Sequence, residues 1–243
     1  MNNVATLEKM KQMRLSGMAT AFQTAIETRS NQDMTADDLL SYLIESEYEE
    51  RNNRKIKRSL ETARFRYQAS VEEINFHNQR NLDKNNFLRL ADLTFIENKE
   101  NIIITGKTGV GKSYLSSALG HKACINGYKV MYFNTGKLFS KLKMSGADNT
   151  YIKEIKKIEI QDLIILDDFG LQPLDNQTRL YLLEILEDRH GKKSTIITSQ
   201  LPVTNWYEII EDSTIADAIL DRMVHTSHRI ELNGESLRKS KIS

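Results

Sequence analysis

The stretch Asn101–Gly120, NIIITGKTGVGKSYLSSALG, decides how this chain is read. A run of β-branched residues leads into a glycine-rich turn, and a helical pattern follows without a break. Within it, "GKTGVGKS" fits G-x-x-x-x-G-K-[ST] through Gly106, Gly111, Lys112 and Ser113. Glycines let the backbone curl so that successive N–H groups face an anion. The lysine brings a point charge to the β- and γ-phosphates of a nucleoside triphosphate. The serine hydroxyl suits a hard cation such as Mg²⁺, and the helix opening here aims its positive end at the anion. The candidate nucleotide-binding run is Gly106, Lys107, Thr108, Gly109, Val110, Gly111, Lys112, Ser113 and Tyr114.

Downstream, "DLIILDDFG" (162–170) ends an apolar strand with two carboxylates, the context of a Walker B element. In that role Asp167 joins Ser113 in the metal shell, and Asp168 orients or deprotonates the attacking water. A plain helix cap or turn is the alternative for adjacent acids, and the phosphate loop weighs against it. The strand "STIITSQ" is expected beside the acidic pair, where Ser199 or Thr198 reaches the γ-phosphate or the lytic water. Arg222 and Arg229 in "AILDRMVHTSHRIEL", Arg238 in "GESLRK" and Arg189 in "ILEDRHGK" are candidate cations for transition-state charge. A solvated or helix-terminal arginine is the alternative for each.

The runs "NIIIT", "YKVMYF", "DLIILDD", "STIITS" and "HRIEL" alternate with helical segments. Several are apolar nearly throughout, which predicts a parallel sheet covered on both faces. Upstream the character differs. The first hundred residues hold no proline and one glycine, Gly17. Leu7, Met10, Leu15, Met18, Phe22 and Ile26 predict one amphipathic helix. "TADD" from Thr35 and "SVEE" from Ser70 read as capping boxes opening further helices. The expected organisation is a helical domain over 1–70 and an α/β domain over 71–243, with 71–100 as linker and domain start.

Between them lies "RNNRKIKRSLETARFR" (51–66). On a helix Arg51, Arg54, Lys55 and Arg58 share a face, and Lys57 and Arg64 fall a heptad apart. Two readings stand. The face follows a phosphate backbone without base reading, or it is a solvated helix paired with the preceding acidic "ESEYEE". Phe65 and Tyr67 read as core before stacking platforms. The net charge of +1 across 243 residues leaves any DNA binding to such local clusters. The one cysteine, Cys124, reads as a small buried residue. No signal peptide or long apolar run is visible, which points to the cytoplasm.

At this point the chain resembles the IstB-like ATP-binding proteins, helpers of insertion-sequence transposases related to DnaC helicase loaders and DnaA initiators among the AAA+ ATPases. The resemblance runs almost end to end, through "MRLSGMATAF", "SVEEINF", "LIILDDFGLQPL", "LLEILEDRHGKKSTIITSQLPVTNW" and "TIADAILDRMVHTSHRIELNGESLRK". It implies an AAA+ sheet behind a small all-helical N-terminal domain, with ATP and Mg²⁺ as cofactors. It also implies homo-oligomers with nucleotide at subunit interfaces, assembly on duplex DNA, and a cognate transposase as partner. Arg222 falls where initiator-type members carry an arginine finger, and "EINF" (73–76) where their linker helps form the adenine pocket. Ile74 or Phe76 would do so here; packing between domains is the other reading. Many AAA+ proteins carry Glu where this chain has Asp168, and no C-terminal helical lid is visible. A DnaC-like helicase loader shares the same ATPase core and is the alternative. A metabolic P-loop kinase predicts an acceptor signature that is not visible. A purely structural DNA-binding protein predicts that Lys112→Ala leaves DNA binding intact.

Overall fold

The computed structural model describes residues 3–30, 33–76, 80–225 and 227–237. It packs as two compact units, Met1–Arg58 and Ser59–Ser243. The character of the sequence placed the change later, at residue 70.

In the first unit α1 (Asn3–Gln12) and α2 (Ser16–Glu27) precede α3, which spans Ala36–Ala63 and continues past the boundary. The single amphipathic helix expected at the start is thus two. The chain breaks at Arg14, whose φ is +59°. The cause lies in α3. Glu47 there is 5% exposed, and its Oε2 accepts the N–H of Gly17 at 2.8 Å and of Met18 at 3.2 Å. These donors have no partner within their own first turn, so the carboxylate caps α2 from outside. A side chain at Gly17 would meet the Ser46 carbonyl at 2.3 Å, so only glycine permits this approach. The face of α2 that is buried holds Gly17, Ala19, Ala21 and Ala25, not the larger residues of the expected stripe. The capping box at Thr35 forms as expected, with Thr35 N–H on Asp38 Oδ2 and Asp38 N–H on Thr35 Oγ1, both at 3.2 Å.

The second unit is an α/β sandwich. After α4 (Lys84–Ala91) and α5 (Thr94–Glu97) come β1 (Asn101–Gly106), α6 (Lys112–Ile125) and β2 (Val130–Asn134). Next are α7 (Thr135–Ala147), α8 (Tyr151–Glu159), β3 (Leu163–Phe169) and α9 (Asn176–Arg189). The unit ends with β4 (Ser194–Ser199), α10 (Trp206–Ile210), α11 (Ser213–Val224) and β5 (Ser227–Leu232). The five strands are all parallel, in the order β2-β3-β4-β1-β5. Successive residues of the central strands enter opposite cores. Ile102, Ile104, Leu163 and Ile165 join Phe87 and Leu115 on one face, while Ile103, Ile164, Leu166 and Ile197 join Leu182 and Trp206 on the other. This is the two-residue period of a strand buried on both sides, and it explains the unbroken apolar runs. Cys124 is buried in the first of these cores.

No helix begins at "SVEE", contrary to expectation. Val71 and Ile74 are buried in a single turn, Ser70 hydrogen-bonds Glu72, and Glu73 accepts the Tyr114 hydroxyl. The capping pair is consumed before a helix can use it, Ser70 by its near neighbour Glu72 and Glu73 by the distant Tyr114.

Candidate nucleotide site

In a parallel sheet the loops after the strand ends gather at one edge, and the chain reverses its winding there. β1 delivers the phosphate loop to that edge, and β3 and β4 deliver the acids and a hydroxyl beside it. Gly106 has φ +142°, and a side chain on it would meet the Leu232 carbonyl at 2.3 Å. Gly111 has φ +102° and stands directly before α6, so the helix opens with a reversal only glycine takes readily. Val110 is fully buried and pins the loop to the core. Lys112 Nζ lies 2.7 Å from the Gly106 carbonyl and 2.9 Å from that of Lys107, which holds the ammonium inside the curl. Thr108 reaches across to Gln200 at 2.7 Å.

The buried carboxylate of Asp167 is the centre of the site. Its Oδ1 accepts the Ser113 hydroxyl at 2.8 Å and that of Thr198. Its Oδ2 accepts the Tyr132 hydroxyl and faces Arg66 Nη1 at 3.4 Å. Burial first, and then the bond to Asp167, push the Tyr132 phenol above its ordinary value, so it stays a neutral donor. Asp168 has φ +61°, beside an irregularity in the β3–β4 register. That twist turns its carboxylate to the cleft, where it meets Arg66 Nη1 at 2.9 Å and Asn134 Nδ2 at 3.3 Å. Ser113 and Asp167 therefore present converging hard oxygens. The described residues hold no cluster of three or more His, Cys, Asp or Glu that could cage a metal. The donor set fits Mg²⁺ completed by phosphate oxygens and water, not a cage made by protein alone.

The cleft has a volume of about 490 Å³. Tyr67, Ile74, Asn75 and Tyr114 form its far wall, beyond the phosphate loop. Phe76 instead meets Phe87 at a tilt, ring centres 6.1 Å apart, and does not line this cleft. Two features of the cleft had no signature in the sequence. Arg80 is 5% exposed, donates to the Asn75 carbonyl at 2.8 Å, and has a buried Nε with no partner among the described atoms. The segment after β5 folds over the loop, with Leu237 N–H on the Gly109 carbonyl at 3.0 Å. Arg238 lies outside the described residues.

The remaining candidates divide. Ser199 is fully buried and its hydroxyl spans the Phe169 carbonyl and the Leu201 N–H, so Thr198 is the strand-end hydroxyl that touches the acidic pair. Arg189 is 2% exposed and its donors go to the carbonyls of Ile158, Gln161, Asp162 and Ser194 and to Thr195. Burial pushes it down to about 10, and it stitches the chain between helix and sheet. Arg222 pairs with Glu187 and donates to the Ala218 carbonyl. Arg229 is exposed on the edge strand β5.

In the first unit Arg51, Arg54, Lys55 and Arg58 line, with Arg14, a shallow cavity of about 390 Å³. Arg51 pairs with Glu47 at 2.7 Å and Arg54 with Glu50 at 3.2 Å. Lys55, Lys57 and Arg58 are exposed and form no ion pair among the described residues. The basic segment does not continue as one helix: α3 stops at Ala63 and Arg64 follows at φ +55°. No helix among the described residues is long and apolar enough to cross a membrane.

The chain matches the family of IstB-like ATP binding proteins over residues 8–243. It is 45% identical over 235 residues to y4pL of Sinorhizobium fredii, named as an insertion sequence ATP-binding protein, covering 97% of this chain and 96% of that one. Among solved structures, DnaI superposes with a TM-score of 0.59 at 21% identity, over 73% of this chain and 94% of that one. The DnaC helicase loader does so with a TM-score of 0.56 at 20% identity, over 69% and 98%. The likeness in shape accounts for the AAA+ architecture, and the match along the sequence for the rest: the chain belongs to the IstB-like ATP binding protein family and is an ATPase of AAA+ fold.

Proposed function

We propose that this ATPase binds Mg²⁺·ATP in the cleft described, assembles in that state on duplex DNA, and so assists a transposase during movement of an insertion sequence. The convergence of Ser113, Asp167 and Asp168 beside the phosphate loop is the observation that carries the ATPase part. The loop N–H groups and Lys112 take the β- and γ-phosphates. Ser113 and Asp167 hold the metal, which supplies charge neutralisation on the phosphate oxygens. Asp168 orients the attacking water, and Asn134 sets its carboxylate. Support for the insertion-sequence setting comes from the relatives, named as insertion sequence ATP-binding proteins. Support for DNA comes from the exposed Lys55, Lys57 and Arg58 on α3.

Sedimentation of the purified protein with labelled duplex or single-stranded DNA, with ATP, ADP or neither, tests the proposal. Large ATP-dependent particles on duplex DNA are expected. Preference for single strands, or no assembly unless a ring helicase is added, moves the assignment to a helicase loader.

A further inference from the structure

Arg66 belongs by sequence to the basic segment, yet its guanidinium is spent on the acidic pair. Nη1 bridges Asp168 Oδ2 at 2.9 Å and Asp167 Oδ2 at 3.4 Å. The residues on either side are anchored by rings. Phe65 meets Tyr132 edge-on at 6.5 Å and lies against Gly120, where even a methyl group would approach its ring to 2.5 Å. Tyr67 meets Tyr114 at 6.2 Å. The Arg66 side chain itself is 41% exposed. It stands where two cavities adjoin: the nucleotide cleft, and a groove of about 1040 Å³ along the edge strand β2, both of which it lines together with Asp168. The neighbouring rings hold the backbone, and the guanidinium, 5.7 Å from the centre of the Tyr67 ring, sits partly exposed between the two cavities.

We propose that Arg66 and a divalent cation exclude one another at the acidic pair, so that metal entering with the nucleotide drives the guanidinium into the neighbouring groove. This rests on the reading of the cleft as a metal–nucleotide site. A divalent ion on Asp167 would share that carboxylate with the guanidinium that bridges Asp167 and Asp168, and the two like charges repel at close range. Asp167 does not depend on Arg66 for its position, because Ser113, Thr198 and Tyr132 keep it fixed with neutral donors. Asp168 does change partner: with Arg66 gone, Asn134 is the side chain still bonded to it. Arg66 is thus a positioning residue that masks the catalytic carboxylate until metal arrives.

The test is Mn²⁺ binding to the full chain, followed by electron paramagnetic resonance without nucleotide and with ADP. Arg66→Gln is expected to bind Mn²⁺ at least about fivefold more tightly than the wild type, since a competing charge is gone. Arg66→Lys, which keeps a cation at the position, is expected to stay near the wild type. In the wild type, phenylglyoxal should modify Arg66 faster with Mn²⁺·ADP than with ADP and a chelator. Unchanged Mn²⁺ affinity in a folded Arg66→Gln protein overturns the proposal; emission from the buried Trp206 reports that folding. If the variant does not fold, the wild-type labelling decides, and equal rates overturn it. Failure of the wild type to bind metal and nucleotide together removes the reading of the cleft and this proposal with it. Binding that is indifferent to Arg66 removes this proposal alone.

Discussion

Lys112 is 6% exposed and sits among carbonyl oxygens of its own loop. An ammonium in that position is already desolvated, so an incoming phosphate gains its full attraction. Lys112→Ala is expected to weaken ATP binding about a hundredfold, the scale of a lost charge-assisted contact, as read by fluorescence titration with a labelled nucleotide. Assembly on DNA should be lost with it; undiminished assembly would remove ATP from the mechanism. Asp168→Asn separates the same site's other task. Its amide keeps the shape of the side chain but cannot take a proton or strongly orient water. Hydrolysis should fall by about 10²–10⁴, measured as phosphate release, while nucleotide affinity stays within a few-fold of the wild type. A variant that hydrolyses ATP normally would assign the water to another group. At this scale the sequence was most legible where chemistry is local. The loop and the acids follow one another along the chain, and their spacing carries their meaning. Arg66 and Arg80 reach the cleft from segments far from both, and no spacing records that. Thr198 and Ser199 are neighbours on one strand, and which hydroxyl faces the acids was settled by the register of β3 on β4.

Elements were legible in proportion to how far their own periodicity decided them. The central strands β1, β3 and β4 lie where the apolar runs stand, because burial on both faces leaves a pattern no turn imitates, while the edge strands β2 and β5 are covered only in part. The start of the chain was misread because α2 packs through small residues, and hydrophobic spacing reports large ones. Its N-terminus is made by Glu47, thirty residues on. Burial pushes the Glu47 carboxyl up, but the Arg51 guanidinium and the N–H groups of Met18 and Gly17 outweigh it and hold it below its ordinary value. The contribution to stability is complete above the unfolded carboxylate value, about 4.3, and is lost as the pH falls through the lower folded value. Protection of the α2 amides, taken as exchange relative to the intrinsic rate at each pH, should therefore fall in acid, and Glu47→Gln should flatten that dependence. Gly17→Ala tests the same contact by shape: its methyl group meets the Ser46 backbone, which cannot yield as a side chain would. A loss of about 1–3 kcal/mol in denaturant unfolding is expected for such overpacking. A variant as stable as the wild type would show that the two helices separate at little cost.

For the whole molecule the informative distance runs along β1. The Arg222 carbonyl accepts the Asn101 side chain, at the start of that strand, and the phosphate loop begins at its end. Six residues of strand separate these points by about 17 Å, farther than an arginine side chain extends. Arg222 therefore does not serve the cleft of its own chain. If it acts on a γ-phosphate it does so in a neighbour, through a head-to-tail contact of the kind that builds rings or filaments. Its pairing with Glu187 across two packed helices keeps the guanidinium near the surface, 23% exposed, and ready to be shared with a partner. Arg222→Ala should then abolish most hydrolysis while leaving nucleotide binding intact. Mixing it with Lys112→Ala subunits in equal amounts should restore activity, because each supplies what the other lacks. Lys112→Ala alone should not assemble, so its subunits enter through the ATP held by Arg222→Ala neighbours; full mixing leaves half the clefts able to bind and half of those facing an intact arginine, which sets an upper bound of roughly a quarter of the wild-type rate. The assay is phosphate release at constant total protein. A mixture no more active than the two variants measured apart would confine Arg222 to holding α11 against α9, and would leave the transition-state charge to groups already inside the cleft.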